Sequence, residues 1–157
     1  MEVRKFVVAD INQIVKLFYE TVHSVNKKDY SQEQLEAWAS MDDEELRIES
    51  WKDSLNKNIT YVALINGKIV GFSDMTGDGH LDRLYVHKDF QGQGIATSLV
   101  NVLESEARRL GLNELDTEAS ITAKSFFEHR GYEVVQSQCV ERKGIQLINY
   151  KMIKVLR

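Results

Sequence analysis

The sequence predicts an α+β fold, a mixed sheet of about seven strands with one parallel βαβ unit near its middle, and three observations carry that prediction. Thr60–Ile65 and Lys68–Asp74 are β-rich runs joined by Asn66–Gly67, the preferred pair for a two-residue hairpin turn. From Asp82 to Gly111 a hydrophobic strand feeds a glycine-bearing loop and then a long amphipathic helix. Leu112–Glu118 follows as a strand, so the two strands flanking that helix must be parallel, joined by a right-handed crossover. Tyr132–Val140 and Ile145–Val155 close the chain as two strands around the turn Glu141–Gly144.

The remaining elements fall into place around these. Val3–Val8 reads as a first strand, and Asp10 is placed to cap a helix whose apolar residues Ile11, Ile14, Val15, Phe18, Val22 and Val25 recur at helical spacing. Asn26–Tyr30 interrupts that pattern. Ser31 followed by Gln34 has the spacing of a capping box opening a short helix through Leu35 and Trp38. Acidic Asp42–Glu45 starts another helix through Leu46, Ile48, Trp51 and Leu55. Thr76–Gly79 is a turn and His80–His87 the next strand. The helix over Gln93–Leu110 carries Ile95, Leu99, Val102, Leu103, Ala107 and Leu110 on one stripe and stops at Gly111. Thr122–Arg130 is a further helix, stopped by Gly131.

Composition narrows the function classes. A chain of 157 residues suffices for one domain with a real core, so a single domain over 1–157 is expected. The 43% hydrophobic and 28% charged content is that of a soluble globular protein. A net charge of -4, with no stripe of Lys and Arg, argues against a nucleic-acid binder. One cysteine, Cys139, excludes an intrachain disulfide and a thiolate metal site; it is expected to be a small buried hydrophobe. The first ten residues lack the apolar core of a signal peptide and no apolar run reaches membrane-spanning length, so a cytoplasmic location and no membrane partner are expected.

The chemistry is concentrated in Gln91-Gly92-Gln93-Gly94-Ile95-Ala96, a loop running directly into the long helix. The first amides of a helix are unpaired and sit at the positive end of its dipole, so this loop suits an anion, most plausibly a phosphate. A nucleotide P-loop would require Gly-Lys followed by Ser or Thr, and the sequence has none. A dinucleotide fingerprint would require a third glycine where Thr97 stands, although Asp116 lies on the next strand where a ribose carboxylate would be. Taken alone, Gly92 and Gly94 are equally a turn that only reverses the chain.

Two signatures together go further. Leu84-Tyr85-Val86 followed by Gln91-Gly92-Gln93-Gly94-Ile95-Ala96 resembles the acetyl-CoA signature of the GCN5-related N-acetyltransferase (GNAT) family. Downstream, Ala123, Phe126, Phe127, Gly131 and Tyr132 resemble the second signature of that family. The resemblance covers nearly the whole chain and is weakest from Asn26 to Leu55. It implies a GNAT-like acyl-CoA N-acyltransferase fold, with acetyl-CoA as co-substrate and no metal.

By that resemblance the pyrophosphate lies on the amides of Gln91, Gly92, Gln93, Gly94, Ile95 and Ala96, with Thr97, Ser120 and Phe127 also in the cofactor site, and the amides of Leu84, Tyr85 and Val86 pair with pantetheine and the acetyl carbonyl. Gln93 stands where relatives often carry Lys or Arg, which leaves adenosine phosphate contacts to Lys88 and Lys124, each equally a solvated surface lysine. Neutralising an alkyl amine of pKa about 10.4 at pH 7 costs roughly 4 to 5 kcal/mol, so a base matters. The resemblance places the base on the strand before the loop or its neighbour, as His80, Asp82 or Asp74, with His87 a lesser choice. A histidine is the residue type suited to proton transfer at neutral pH, the alternative for His80 being to close a glycine turn in solvent; Asp82 beside Arg83 is equally a structural ion pair. Phe127 replaces the tyrosine that many relatives use as acid for the leaving thiolate, and Ser120 stands where they frequently have Asn. Tyr19, His23, Tyr30 and Trp38 fall on the acceptor side, which suggests a small amine with an apolar or aromatic body.

The reading is therefore an acetyl-CoA-dependent N-acetyltransferase acting on a primary amine of a small molecule by direct attack. A non-catalytic acyl-CoA sensor or partner-binding module on the same fold is the alternative, motivated by Phe127. A homodimer is compatible with either, and a peptide acceptor is a variant of the first.

Overall fold

The computed structural model describes residues 1–156, in which seven strands form one mixed sheet in the order β1-β2-β3-β4-β5-β7-β6. The strands are β1 (Glu2–Lys5), β2 (Ile59–Ile65), β3 (Lys68–Met75), β4 (His80–Val86), β5 (Glu114–Ser120), β6 (Glu133–Arg142) and β7 (Ile145–Val155). The helices are α1 (Ile11–Ser24), α2 (Gln32–Trp38), α3 (Glu44–Lys57), α4 (Ile95–Arg109) and α5 (Ile121–His129). The β2–β3 hairpin turns on Asn66 and Gly67 with φ of 52° and 78°, the left-handed pair that a two-residue turn demands. β4 and β5 are parallel, with α4 as the crossover.

Alternation along β2 sorts the layers. Val62 and Leu64 pack with α1 and α3 around Phe18, Leu35 and Phe72, whereas Ala63 packs with Ile95 and Leu99 of α4. β2 and β3 are consequently covered on both faces, and their sequences read as near-continuous apolar runs. A further cluster joins α4, β5, β7 and Phe127 of α5 around Leu103, Leu115 and Met152.

Several sequence expectations need correction. β1 ends at Lys5 rather than Val8, and Asp10 does not cap α1: its carboxylate accepts two hydrogen bonds from Arg4 at 2.9 and 3.0 Å and one from the Val7 amide at 2.9 Å. Burial raises the Asp10 pKa, but the Arg4 fork and the Val7 amide outweigh it and hold the group below the ordinary aspartate range. Ser31 and Gln34 do form the capping box of α2. Leu46 is exposed at 73%. On α4, Leu110 is exposed, while Val100 and, unexpectedly, Glu104 are buried. Glu104 is held by the Tyr132 hydroxyl at 2.8 Å and Lys154 at 3.0 Å, which makes burial of its charge tolerable. Cys139 is exposed because β6 is the outer strand of the sheet.

Candidate active site

The site is created by a failure of strand pairing. β4 and β5 pair only at His80↔Asp116 and Leu81↔Thr117, after which they diverge. On the other side of β4, Arg83 is opposite Asp74 and Leu81 is opposite Met75, which leaves Asp82 as a bulge residue with no partner. A bulge bends its strand and increases twist, and here it coincides with the start of the divergence. The edge of β4 facing β5 therefore has no strand beside it from Asp82 to Val86.

Into this opening falls a cavity of about 440 Å³ whose walls include Leu84, Tyr85, Val86, Ala119, Ser120 and Phe127. Its far end is the loop before α4, where Gln91, Gly92, Gly94, Ile95, Ala96 and Thr97 line it. Gln91 turns its side chain back and donates from Nε2 to the Val86 carbonyl at 2.7 Å, tying loop to strand. Gly92 and Gly94 have φ of 73° and 79°, the left-handed region disfavoured for residues with a Cβ. Gly94 caps α4 in that conformation, and the following amides of Ile95, Ala96 and Thr97 belong to the first helical turn, where no intrahelical acceptor exists.

Gly71 of β3 lets α4 come this close. A Cβ built there would stand 2.9 Å from Ile95 Cγ2 and 3.3 Å from both Leu99 Cδ1 and the Tyr85 carbonyl oxygen. The first turn of α4 thus rests directly on the sheet.

A second cavity of about 170 Å³ adjoins the first, sharing Trp38, Asp82, Tyr85, Glu118 and Ser120 as walls. Tyr30 and His80 also line it, and the β6–β7 hairpin completes it with Arg142, Ile148 and Asn149. Three contacts fasten the hairpin over it: the Tyr30 hydroxyl donates to the Ile148 carbonyl at 2.7 Å, Gln34 Nε2 donates to the Gln146 carbonyl at 3.0 Å, and Lys143 pairs with Asp43 at 2.7 Å. Burial pushes the Tyr30 phenol up and the Tyr85 phenol up to about 12, so both stay protonated at neutral pH.

The candidate bases separate cleanly. His80 Nδ1 is bonded to the Asp116 carboxylate, and its Nε2 lies 3.9 Å from Glu118 Oε1, too far for a hydrogen bond. Imidazole is thereby oriented with Nε2 free beside the second cavity. Asp82 lines both cavities with its side chain 43% exposed. Asp74 lines neither: it is fully buried, bound by Arg83 at 2.5 Å and Asn58 at 2.8 Å. Burial raises its pKa against the opposing pull of Arg83. Arg83 itself spans the gap, with Nη1 3.4 Å from Asp82, Nη2 donating to Ser54 at 2.9 Å, and its guanidinium 4.6 Å from the Trp51 ring centre. His87 lines neither cavity and faces Glu20 at 3.2 Å.

Other expected site residues lie elsewhere. Tyr19 is buried in the core, its hydroxyl accepting from Arg47 Nε at 3.0 Å. His23 bonds the Ala39 carbonyl through Nε2 at 2.7 Å. Gln93, Lys88 and Lys124 are outside the cavity walls, Lys124 pairing with Glu128 at 3.5 Å. Sequence reasoning overlooked Glu118, Arg142 and Asn149, and assigned Asp116 only a nucleotide role. Asp116 was legible as the partner of His80 once the parallel register was placed; the hairpin residues left no local signal.

Comparison with known proteins agrees with this geometry. Residues 26–154 match the acetyltransferase (GNAT) domain family. The chain is 33% identical over 153 residues to the uncharacterized N-acetyltransferase YafP of Escherichia coli K12, covering 97% of this chain and 94% of that one. It superposes on a GCN5-related N-acetyltransferase from Rhodopseudomonas palustris with a TM-score of 0.92 at 35% identity, covering 99% and 95% of the two chains. The fold is shared with the PaiA N-acetyltransferase of Thermoplasma acidophilum in complex with coenzyme A, at a TM-score of 0.79 and 18% identity over 99% and 98% of the chains. A domain match across most of the chain and an N-acetyltransferase relative along nearly its full length place this protein in the GNAT family, as an N-acetyltransferase of that type.

Proposed function

We propose that this chain transfers the acetyl group of acetyl-CoA to the primary amine of a small molecule by direct attack of the amine. The observation that carries the reading is the unpaired edge of β4 from Asp82 to Val86, running along a cavity that ends on the first amides of α4. These features fit acetyl-CoA in kind. An extended strand edge offers amides and carbonyls to an amide-bearing chain such as pantetheine, and a helix N-terminus behind two left-handed glycines offers unpaired N–H groups to a pyrophosphate. Coenzyme A in the Thermoplasma relative supports the same ligand.

Acetyl-CoA supplies the acetyl group as a thioester, whose carbonyl an amine attacks while the thiol leaves. The chain has to hold the amine at the junction of the cavities and remove its proton. Asp82 and Glu118 provide negative charge at that junction, which attracts an ammonium and also favours its protonated form. His80 Nε2 is suited to take the proton, because Asp116 fixes the other nitrogen and stabilises the imidazolium that forms. Phe127 offers no proton to the leaving sulfur; a thiol of pKa about 8.5 departs tolerably without one.

The experiment is thiol release from acetyl-CoA against a panel of amines. His80→Ala is expected to lower kcat by about 10² to 10⁴ with acetyl-CoA binding retained. Gly94→Val is expected to raise the acetyl-CoA KM, since a β-branched residue at φ 79° costs about 1–2 kcal/mol or moves the amides. Acetyl-CoA binding with no thiol released above background for any amine would refute the reading.

A further inference from the structure

We infer that the acceptor carries an anionic group on the same small molecule as its amine, and that Arg142 is the residue that recognises it. This rests on the transferase reading above and assigns its substrate class.

Charge is unevenly distributed along the second cavity. The junction with the first cavity holds the carboxylates of Asp82 and Glu118, and Asp116 stands behind His80. Arg83 binds the buried Asp74 at 2.5 Å and also reaches Asp82 at 3.4 Å, so it offsets part of this charge, while Glu118 and Asp116 have no such partner among the described residues. An amine is therefore drawn to the junction, which is also where it would have to react. The wall contributed by the β6–β7 hairpin, which the first cavity does not share, is different in kind. It carries Arg142 and Asn149 among apolar Val140, Leu147 and Ile148.

Arg142 has no carboxylate partner among the described residues; its Nη1 meets the neighbouring Glu141 carbonyl at 3.1 Å. Asn149 Oδ1 is buried without a hydrogen-bond partner among the described residues. Glu118 at the junction accepts from Gln138 Nε2 at 2.5 Å. An arginine that lines a cavity with no carboxylate partner is suited to a planar or tetrahedral anion, which it binds through paired N–H donors. The hairpin bearing it is fastened by Tyr30, Gln34 and Lys143, so the guanidinium is presented from an anchored wall. Negative charge at the reacting end and positive charge at the far end match a zwitterion lying lengthwise. A hydrocarbon amine would make no use of Arg142, which would stay hydrated at the exposed end of β6. The proposal adds a charged tail to the small amine with an apolar or aromatic body expected from the sequence.

The test uses matched pairs that differ only in the anion: leucine against 3-methylbutylamine, phenylalanine against 2-phenylethylamine, and O-phosphoethanolamine against ethanolamine. Thiol release is measured for each with the intact protein. The anionic member of at least one pair is expected to have the higher kcat/KM, by about tenfold or more. The amino-acid pairs and the phosphate pair distinguish a carboxylate from a phosphate tail. Arg142→Gln should collapse that ratio through KM, and Arg142→Lys should restore part of it, because charge returns without the fork. Arg142 lies at the exposed end of β6, and unchanged thermal unfolding of the variants confirms that the hairpin is intact. If the anion-free amines are used equally well, or the ratio survives in Arg142→Gln, the inference is overturned while the transferase reading stands. If no member of any pair is acetylated and wider amines also fail, both are overturned together.

Discussion

Replacing Gly71 by alanine should damage cofactor binding through the contact between the sheet and the first turn of α4. Its added methyl would lie 2.9 Å from Ile95 Cγ2, where favourable carbon contacts lie at about 3.5–4.0 Å, so the two atoms must separate by about 0.6 Å or more. Leu99 is 0% exposed and Ile95 2%, so the displaced Ile95 side chain can yield only toward the first cavity, which it lines. Overpacking of this kind costs about 1–3 kcal/mol, or a fall in Tm of about 2–12 °C for a chain of this size. The strain has a direction, because Ile95 is the first residue of α4 and its displacement moves the unpaired amides beside Gly94. Losing one charge-assisted hydrogen bond there, worth about 1.5–3 kcal/mol, should raise the acetyl-CoA KM roughly tenfold or more. Thermal unfolding and steady-state kinetics at saturating amine measure the two effects on one preparation. Ile95→Ala removes the opposing methyl, so Gly71→Ala should cost less in that background, a coupling that a double-mutant cycle reads directly. An unchanged Tm together with an unchanged acetyl-CoA KM would refute the reasoning.

Two further outcomes follow from contacts away from the loop. Tyr30→Phe removes the donor to the Ile148 carbonyl at 2.7 Å and the acceptor of the Ile121 amide at 2.9 Å, stranding the first amide of α5. It should lower stability by about 1–3 kcal/mol and raise the KM for the amine more than that for acetyl-CoA, as unfolding and kinetic measurements would register. Asp10→Asn should cost about 1–3 kcal/mol at pH 7. Because the folded pKa of Asp10 lies below the ordinary 3.8, its contribution is complete above 3.8 and disappears as pH falls through the folded value. Urea titrations should accordingly show the wild type and variant converging in strongly acidic solution, and a difference that persists there would contradict the Arg4–Asp10 assignment.

Much of the fold was legible because its signals are local. Asn66–Gly67 dictates a turn by its own backbone preference, and the Ser31–Gln34 box needs only residues three apart. The phosphate-type loop likewise announces itself through glycines and the helix that follows. Properties that depend on distant partners were less accessible. Asp10 has the spacing of a cap, yet Arg4 on β1 claims its carboxylate. Glu104 reads as a solvated helical charge and is buried because Tyr132 and Lys154 reach it from β6 and β7 and their approach. Of the three expected bases, Asp74 and Asp82 look alike in sequence; a bulge directs one to the cavity, while the strand register sends the other beneath Arg83. The acceptor side was least readable. The second cavity, where the acceptor is proposed to lie, is assembled from α2 and its flanks, β4, the end of β5 and a hairpin more than a hundred residues from α2, with no motif in any of them.

The short pairing between β4 and β5 also bears on how the molecule holds together. With strand pairing limited to His80↔Asp116 and Leu81↔Thr117, the sheet is nearly two sheets, β1 to β4 and β5 to β7, laced by the side chains beneath α4 and by the contacts of Tyr30, Gln34 and Asp43 with the β6–β7 hairpin. Anything that lies along Asp82–Val86 completes the missing seam and works as a structural member. Ligand at a hundred times its Kd adds about 2.7 kcal/mol to the folded state by mass action alone. A ligand bound along that edge, as proposed, would join the two halves, and thermal unfolding with and without acetyl-CoA would register the added cohesion.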